Sequence, residues 1–243
     1  MIESIVSPLV NTVSKMLARS SITHEDAARI YKLPYFTRIL EAGDYVYRYD
    51  ETPNQCSILV SGFTHRHKLS ILGHRQIVAI NIPGEFLDLQ QLYIKDYDSN
   101  VQALTRCEIA TISHTAIRQL VTECPSIGHK LTVFSLIELS LAREWMLNIG
   151  RRDGRTKIAH FLCEFAMRLD RQELLEGKAY ELPMTQEQLG DTVGLTAVHV
   201  NRMIKGLVKD GLVERSRRGI TIPNWPRLVR EAGFDSSYLH LND

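Results

Sequence analysis

The stretch LPMTQEQLGDTVGLTAVHVNRMIKGLVKDGLVERSRRGITI, residues 182–222, decides the fold. Thr185 with Gln188 three residues on reads as a capping box, which satisfies the orphan amides of a helix start. A short helix through Leu189 to Val193 then meets Gly194, the residue type that adopts the left-handed backbone of a tight turn. Leu195 plugs that turn, and Thr196 caps a second helix over 197–209, which Asp210-Gly211 stops. Helix, short glycine turn, helix is the helix-turn-helix pattern. Leu212-Val213-Glu214 and Ile220-Thr221-Ile222 flank the basic turn Arg215-Ser216-Arg217-Arg218-Gly219, so a two-stranded wing is predicted after the second helix.

At about 100° per residue the faces of the second helix separate. Val200, Met203, Ile204 and Leu207 share an inward side. Val198, Arg202, Lys205 and Lys209 share the outward side, flanked by His199 and Gly206. An apolar inner face with a cationic outer one suits a recognition helix in a DNA major groove. Arg202 at its centre can donate two bonds to guanine O6 and N7, or one to phosphate. Lys205, Lys209 and the wing's Arg217 and Arg218 read as phosphate contacts. Thr185, Gln186, Thr196, Ala197, Val198, His199 and Asn201 complete the candidate DNA-facing set. A basic helix face that is merely solvated is the plainer reading of the same charges.

Charge along the chain points the same way. Among 243 residues, 29 Lys and Arg against 28 Asp and Glu give a net charge of +1, which looks neutral toward nucleic acid. From His199 to Arg230, however, eight basic residues face only Asp210 and Glu214, a local excess of 8 − 2 = +6. With 44% hydrophobic and 23% charged residues, disordered, collagen-like and polybasic chains are excluded. No apolar run approaches the roughly 18 residues of a membrane span, and no secretory signal is evident at Met1-Ile2-Glu3-Ser4. A cytoplasmic setting is therefore expected. Cys56, Cys107, Cys124 and Cys163 form no Cys-x-x-Cys pair, so neither a disulfide framework nor a zinc site is predicted.

Upstream the texture changes twice. Ile2, Ile5, Val6, Leu9, Val13 and Leu17 are helically spaced, and 22–33 reads as a second short helix. From Phe36 to Ser113, short runs such as Tyr45–Tyr47, Ser57–Val60 and Gln76–Ile80 alternate with Gly43, Gly62, Gly73 and Pro83-Gly84. This predicts an antiparallel roll. From Pro125 to about Asn148 the pattern is helical. Ile127, Leu131, Phe134, Leu141 and Trp145 make one seam, and Val133, Leu136 and Leu147 a second stripe. Two apolar faces need two things to bury them: the chain's own roll and a symmetry mate, or a core on all sides. The seam is taken as the candidate dimer interface. Gly150-Arg151-Arg152-Asp153-Gly154 reads as a hinge, and 155–169 as a further helix carrying Ile158, Phe161, Leu162, Phe165 and Leu169 on one face. The expected fold class is α+β: a roll and its helices over 1–124, a long helix over 125–149, the hinge 150–154, a winged helix-turn-helix over 155–224 and a tail over 225–243.

This order, with the run Thr185–Gly190, Gly194–Arg202 and the turn Pro83-Gly84-Glu85-Phe86, resembles the Crp/Fnr family of bacterial transcription regulators. The resemblance implies a homodimer on the long helix, a sensing cyclic-nucleotide-binding-like roll and paired winged helices on a palindromic promoter, with RNA polymerase as partner if the protein activates. It also exposes departures. Where a cyclic-nucleotide binder has Gly-Glu for the ribose, this chain has Leu87-Asp88. Where it has Arg with Ser or Thr for the phosphate, this chain has Ser99-Asn100. Gly84, Glu85, Leu87, Asp88, Ser99 and Asn100 thus outline a degenerate effector pocket, and tight cyclic AMP binding is not expected. No cysteine precedes Cys56, so no iron–sulfur cluster is expected either. Ala197 and Val198, where family members often carry Arg or Glu, offer apolar contact, for instance to a thymine methyl.

Other features carry two readings each. His65, His67 and His74 beside Arg66 and Lys68 fit a metal or haem site, or an exposed polar sheet face. Cys107 and Cys124 fit redox sensors or inert buried thiols. The tail, with Trp225, Leu228, Val229, Phe234, Tyr238 and Leu239, fits a helix folded back on the C-terminal domain, or a partner-binding segment. No P-loop, dinucleotide fingerprint, nucleophile elbow or metalloprotease helix is present, so an enzyme is not predicted. An adaptor that turns the same helix-turn-helix toward a protein partner is the alternative function.

Overall fold

A computed structural model describes Leu9, Thr12 and residues 23–170, 179–216 and 219–241. The predicted helix over 2–17 lies otherwise outside the described residues. The elements run α1 (His24–Tyr31), β1 (Phe36–Leu40), β2 (Tyr45–Tyr47), β3 (Gln55–Ser61), β4 (Thr64–Leu69), β5 (Arg75–Asn81), a 3-10 turn (Leu89–Leu92), β6 (Asn100–Ala103), β7 (Cys107–Ser113), α2 (His114–Glu123), α3 (Pro125–Arg151), α4 (Gly154–Asp170), β8 (Ala179–Glu181), α5 (Gln186–Val193), α6 (Ala197–Lys209), β9 (Glu214–Arg215), β10 (Gly219–Thr221), α7 (Trp225–Ala232) and a second 3-10 turn (Ser236–Leu239). The chain divides into two units, broadly the roll and the C-terminal helical part, with the division falling inside α3 after Glu138.

In the first unit, the antiparallel sheet β1-β7-β3 and the strands β2-β6-β4 of a second sheet form the expected roll, while most of β5, within Leu69–Ala79, is grouped with the second unit. Alternation sends Leu59 and Ile109 to one side of the first sheet, where they meet Val46, Tyr47, Leu87 and Val101. It sends Cys56, Ile58, Ala110 and Ile112 to the other side, which α1, α2 and the start of α3 cover through Ile30, Ile117, Leu120, Ile127 and Leu131. Each fully buried Ile or Leu here contributes about 1.5–3 kcal/mol relative to exposure. The second predicted helix is confined to α1, where Thr23 and Asp26 form a capping box.

In the second unit, α4 packs on α6 and α7, and β8-β10-β9 form a small sheet. Strand β8 has no counterpart in the sequence reading. Three residues carry too little periodicity to signal a strand, and β8 gains its order from pairing with β10 and from Tyr180, whose hydroxyl donates to the Leu162 carbonyl at 3.1 Å. The break between α3 and α4 is narrower than Gly150–Gly154: Gly150 lies inside α3 and Gly154 opens α4. Asp153 makes the break, its carboxylate accepting from the amides of Arg155 at 2.9 Å and Thr156 at 3.1 Å. The tail lies on this unit, with Leu228 buried and Phe234 against the rings of His160 and Trp225.

Candidate DNA-binding interface

Thr185 caps α5 and closes the capping box with Gln188. The turn that follows allows no side chain at Gly190, where a Cβ would stand 2.3 Å from the Leu195 carbonyl oxygen. Gly194 takes the left-handed conformation at φ 70°. Sequence reading caught Gly194 and passed over Gly190, because a helical glycine signals a close approach only when the opposing backbone is known. Thr196 caps α6, its hydroxyl accepting from the His199 amide at 3.3 Å with the His199 ring at 3.1 Å.

The two faces of α6 lie as predicted. Val200, Ile204 and Leu207 are buried and Met203 is half-buried. Arg202, Lys205, Lys209 and His199 are exposed, and Val198 is 79% exposed. Ala197 and Asn201 are half-buried, and the Asn201 amide oxygen accepts from Gln186 at 3.4 Å. Gln186 and Asn201 therefore brace α5 against α6. The Thr185 and Thr196 hydroxyls are engaged in their caps. Arg217 and Arg218 lie outside the described residues. A further residue, Arg155 on α4, pairs with Asp210 at 2.8 Å and with Glu231. It neutralises the acid at the end of the basic face. No local pattern could announce it, since its partners lie 55 and 76 residues away.

The dimer seam needs correction. Ile127, Leu131 and Trp145 are buried against the chain's own residues, and Phe134 packs beside Phe86. Leu141 is half-buried. The face of α3 left open carries Leu136, Leu139, Met146 and Leu147, which are 47–68% exposed. Periodicity finds two apolar faces but cannot say which meets the chain's own core. The bulkier seam does, because the Trp145 indole also needs a buried acceptor, supplied by Glu164 at 3.0 Å.

The predicted pocket residues are engaged by other residues of the roll. Gly84 donates its amide to the Leu59 carbonyl at 2.6 Å, and the Glu85 carboxylate accepts from the Ile82 amide at 3.1 Å. Leu87 is buried in the roll's core. Asp88 is fully buried and accepts from the Ser57 amide at 2.7 Å and the Tyr97 hydroxyl at 2.9 Å. Burial pushes its carboxyl up to about 6 against those hydrogen bonds. Ser99 is buried, and Asn100 accepts from the Tyr49 amide at 2.9 Å.

The histidine patch is corrected too: His65 and His67 are buried, while His74 alone is exposed. Among the described residues no group of three or more His, Cys, Asp or Glu is placed to hold a metal ion. All four cysteines are buried as free thiols, and burial raises Cys107 to about 11 and Cys163 to about 12, unfavourable for thiolate chemistry.

A roll followed by a helix-turn-helix with an exposed cationic second helix defines a DNA-binding regulator. The family model of the Crp-like helix-turn-helix domain matches residues 156–231, and that of the cyclic nucleotide-binding domain matches 37–124. The chain is 30% identical over 216 residues to the transcriptional activator protein FnrL of Cereibacter sphaeroides, covering 87% of this chain and 86% of that protein. It is 27% identical to the nitrogen fixation regulation protein FixK of Bradyrhizobium diazoefficiens, covering 81% and 83%. The solved structure of FixK2 from Bradyrhizobium japonicum superposes with a TM-score of 0.77 at 24% identity, covering 84% of this chain and all of that one. The chain belongs to the Crp/Fnr family of transcription regulators and is a DNA-binding regulator of that type. No helix among the described residues is long and apolar enough to cross a membrane.

Proposed function

We propose that the protein binds a palindromic promoter site as a homodimer in the cytoplasm. The observation that carries this reading is the outer face of α6, where Arg202, Lys205 and Lys209 stand exposed on a helix fixed by two caps and a glycine turn. Arg202 reads a base edge. The lysines, with Arg217 and Arg218, hold phosphates. Val198 and Ala197 contribute apolar contact. The open stripe Leu136, Leu139, Met146 and Leu147 on α3 pairs two copies, with Phe134 and Leu141 at its margin. A pair of recognition helices then enters major grooves about 34 Å apart. The working organisation is a roll (1–124), a dimer helix (125–149), a joint within 150–154, the DNA reader (155–224) and a tail (225–243). RNA polymerase is the further partner if the protein activates. The FnrL relative, a transcriptional activator protein, favours that outcome over repression.

Selection of genomic fragments bound by the purified protein, followed by fluorescence anisotropy, tests the reading. Arg202→Ala should weaken the selected site by about 2 kcal/mol, near thirtyfold, and relax preference at one base position in each half-site. Equal loss on every sequence would reduce Arg202 to a phosphate contact. Absence of any salt-dependent binding would favour the protein-adaptor alternative.

A further inference from the structure

The two stretches that would hold a cyclic nucleotide are joined in this chain by one of its own side chains. Arg66, on β4, donates to the Leu87 carbonyl at 2.5 Å and reaches Ser99 Oγ at 3.5 Å. The Tyr47 hydroxyl donates to the same carbonyl at 2.7 Å, and its ring stacks on Tyr97 with centroids 3.6 Å apart and planes 4° from parallel. Tyr97 in turn donates to Asp88. Carbonyl, hydroxyl and carboxylate are thus each engaged within the roll.

A cyclic nucleotide does not fit these residues. Leu87 offers a side chain already sunk in the core, and Asp88 offers a buried acid to a ligand that is itself an anion. The guanidinium of Arg66 lies in the field of three carboxylates, Asp88, Asp98 and Glu138, of which Asp98 also pairs with Lys68 at 2.9 Å, so a phosphate brought there would meet more negative charge than positive. Glu138 belongs to α3. The same cation therefore touches both pocket stretches and feels the charge of Glu138 on the long helix. Those are the parts an effector would have to bridge, since a ligand shifts an equilibrium only through contacts that differ between states.

We propose that Arg66, with Tyr47, Tyr97 and Asp88, is a built-in occupant of the effector position that couples the roll to α3 through Glu138, so that the regulator needs no small molecule to hold its DNA-binding state. A tethered group cannot dissociate, so its occupancy does not depend on any cellular concentration. The proposal concerns the regulation of the DNA reader and rests on the DNA-binding reading for one of its two readouts.

The test uses the full chain, its selected DNA site, cyclic AMP and cyclic GMP at millimolar concentration, and Arg66→Met and Glu138→Gln variants. The wild type should bind DNA with nothing added, and neither nucleotide should change its affinity or its melting temperature by a measurable amount. Arg66→Met should weaken DNA binding about tenfold, within the range of an allosteric coupling, and speed amide exchange across residues 131–142 of α3. Glu138→Gln should do the same to a smaller extent. The proposal is overturned if a nucleotide tightens wild-type binding about tenfold, or if a folded Arg66→Met keeps wild-type affinity and wild-type exchange in α3. Should Arg66→Met not fold, Glu138→Gln decides, since it alters only an exposed helix position; unchanged exchange there counts against the coupling. If the wild type binds no DNA, the DNA reading has failed, while amide exchange and melting with each nucleotide still decide the occupancy of the roll.

Discussion

The roll and the C-terminal unit each enclose a carboxylate, yet they use their remaining charges in opposite ways. Asp88 sits among Ser57, Tyr97 and Arg66; Glu164 sits among Trp145, Tyr238 and Arg168, with Tyr238 donating at 2.8 Å. Beside the cage in the roll, Arg66 donates to the Leu87 carbonyl and reaches Ser99. The cage in the C-terminal unit takes in Arg168, while Arg152 goes to Glu144 at 2.6 Å and Arg155 to Asp210. Arg202, Lys205 and Lys209 on α6 are left exposed. A cation held by the chain's own acids serves the shape of its unit. A row of cations facing water serves a ligand, and a polyanion is the ligand that such a row recognises.

The contrast breaks hardest at Gly190. A methyl there must displace the Leu195 backbone, since the clash at 2.3 Å is with a carbonyl oxygen and not a movable side chain. Gly190→Ala should destabilise the C-terminal unit by about 3 kcal/mol. Amide exchange should accelerate across residues 185–209 and stay at wild-type rates in Ile58–Val60 of the roll. Acceleration in both would mean that the two units do not unfold independently.

Acid separates the units next. His160 is buried against Phe234 and Tyr238, and burial, with Arg152 nearby, lowers its pKa to about 3. Glu144 stands 3.1 Å from its Nε2 and would favour the charged ring, but that carboxylate is already held by Arg152 and burial prevails. A depressed histidine pKa stabilises the fold above pH 6.5, and the contribution is lost as pH falls toward 3. Asp88, raised from 3.8 to about 6, works in reverse: its contribution is complete below 3.8 and lost as pH rises through 6. Between pH 7.5 and 5, His160 should cost the C-terminal unit about 2 kcal/mol and Asp88 should return about 1 kcal/mol to the roll. Glu164 is also raised by burial and opposes His160, so variants isolate each group. His160→Phe should remove the acid loss from exchange in α4, and Asp88→Asn should remove the acid gain from exchange in β3. A common response of both units to either variant would erase the distinction.

Legibility in the sequence followed the range of the interactions. The caps at Thr185 and Thr196, the turn at Gly194 and the two faces of α6 are set by residues within four positions of one another, and all were readable. The roll was readable as a class, from short runs between turn glycines. Its filling was not. Arg66 reads as part of a basic patch with His65 and His67, because nothing local shows that Leu87 and Ser99 will lie across from it, 21 and 33 residues on. The same blindness reversed the two faces of α3 and turned two buried histidines into a surface patch. Where the partner is remote, residue type gives the chemistry but not the address.

The gentlest test of the contrast is Lys209→Ala. Lys209 lies in the last turn of α6, exposed, beside the end of the helix, and its loss leaves no buried group without a partner. As a phosphate contact it contributes through counterion release and carries no sequence information. The variant should therefore bind every site slightly more weakly in the same proportion. The slope of log affinity against log salt should become shallower by about 1.8, the value of two phosphates on duplex DNA, one for each half-site of the dimer. Arg202→Ala should change which sequence is preferred; Lys209→Ala should change only how steeply salt weakens all of them. If Lys209→Ala instead altered sequence preference at fixed salt, the end of α6 would have to reach base edges, and the division of the cationic row into one reader and its flanking anchors would fail.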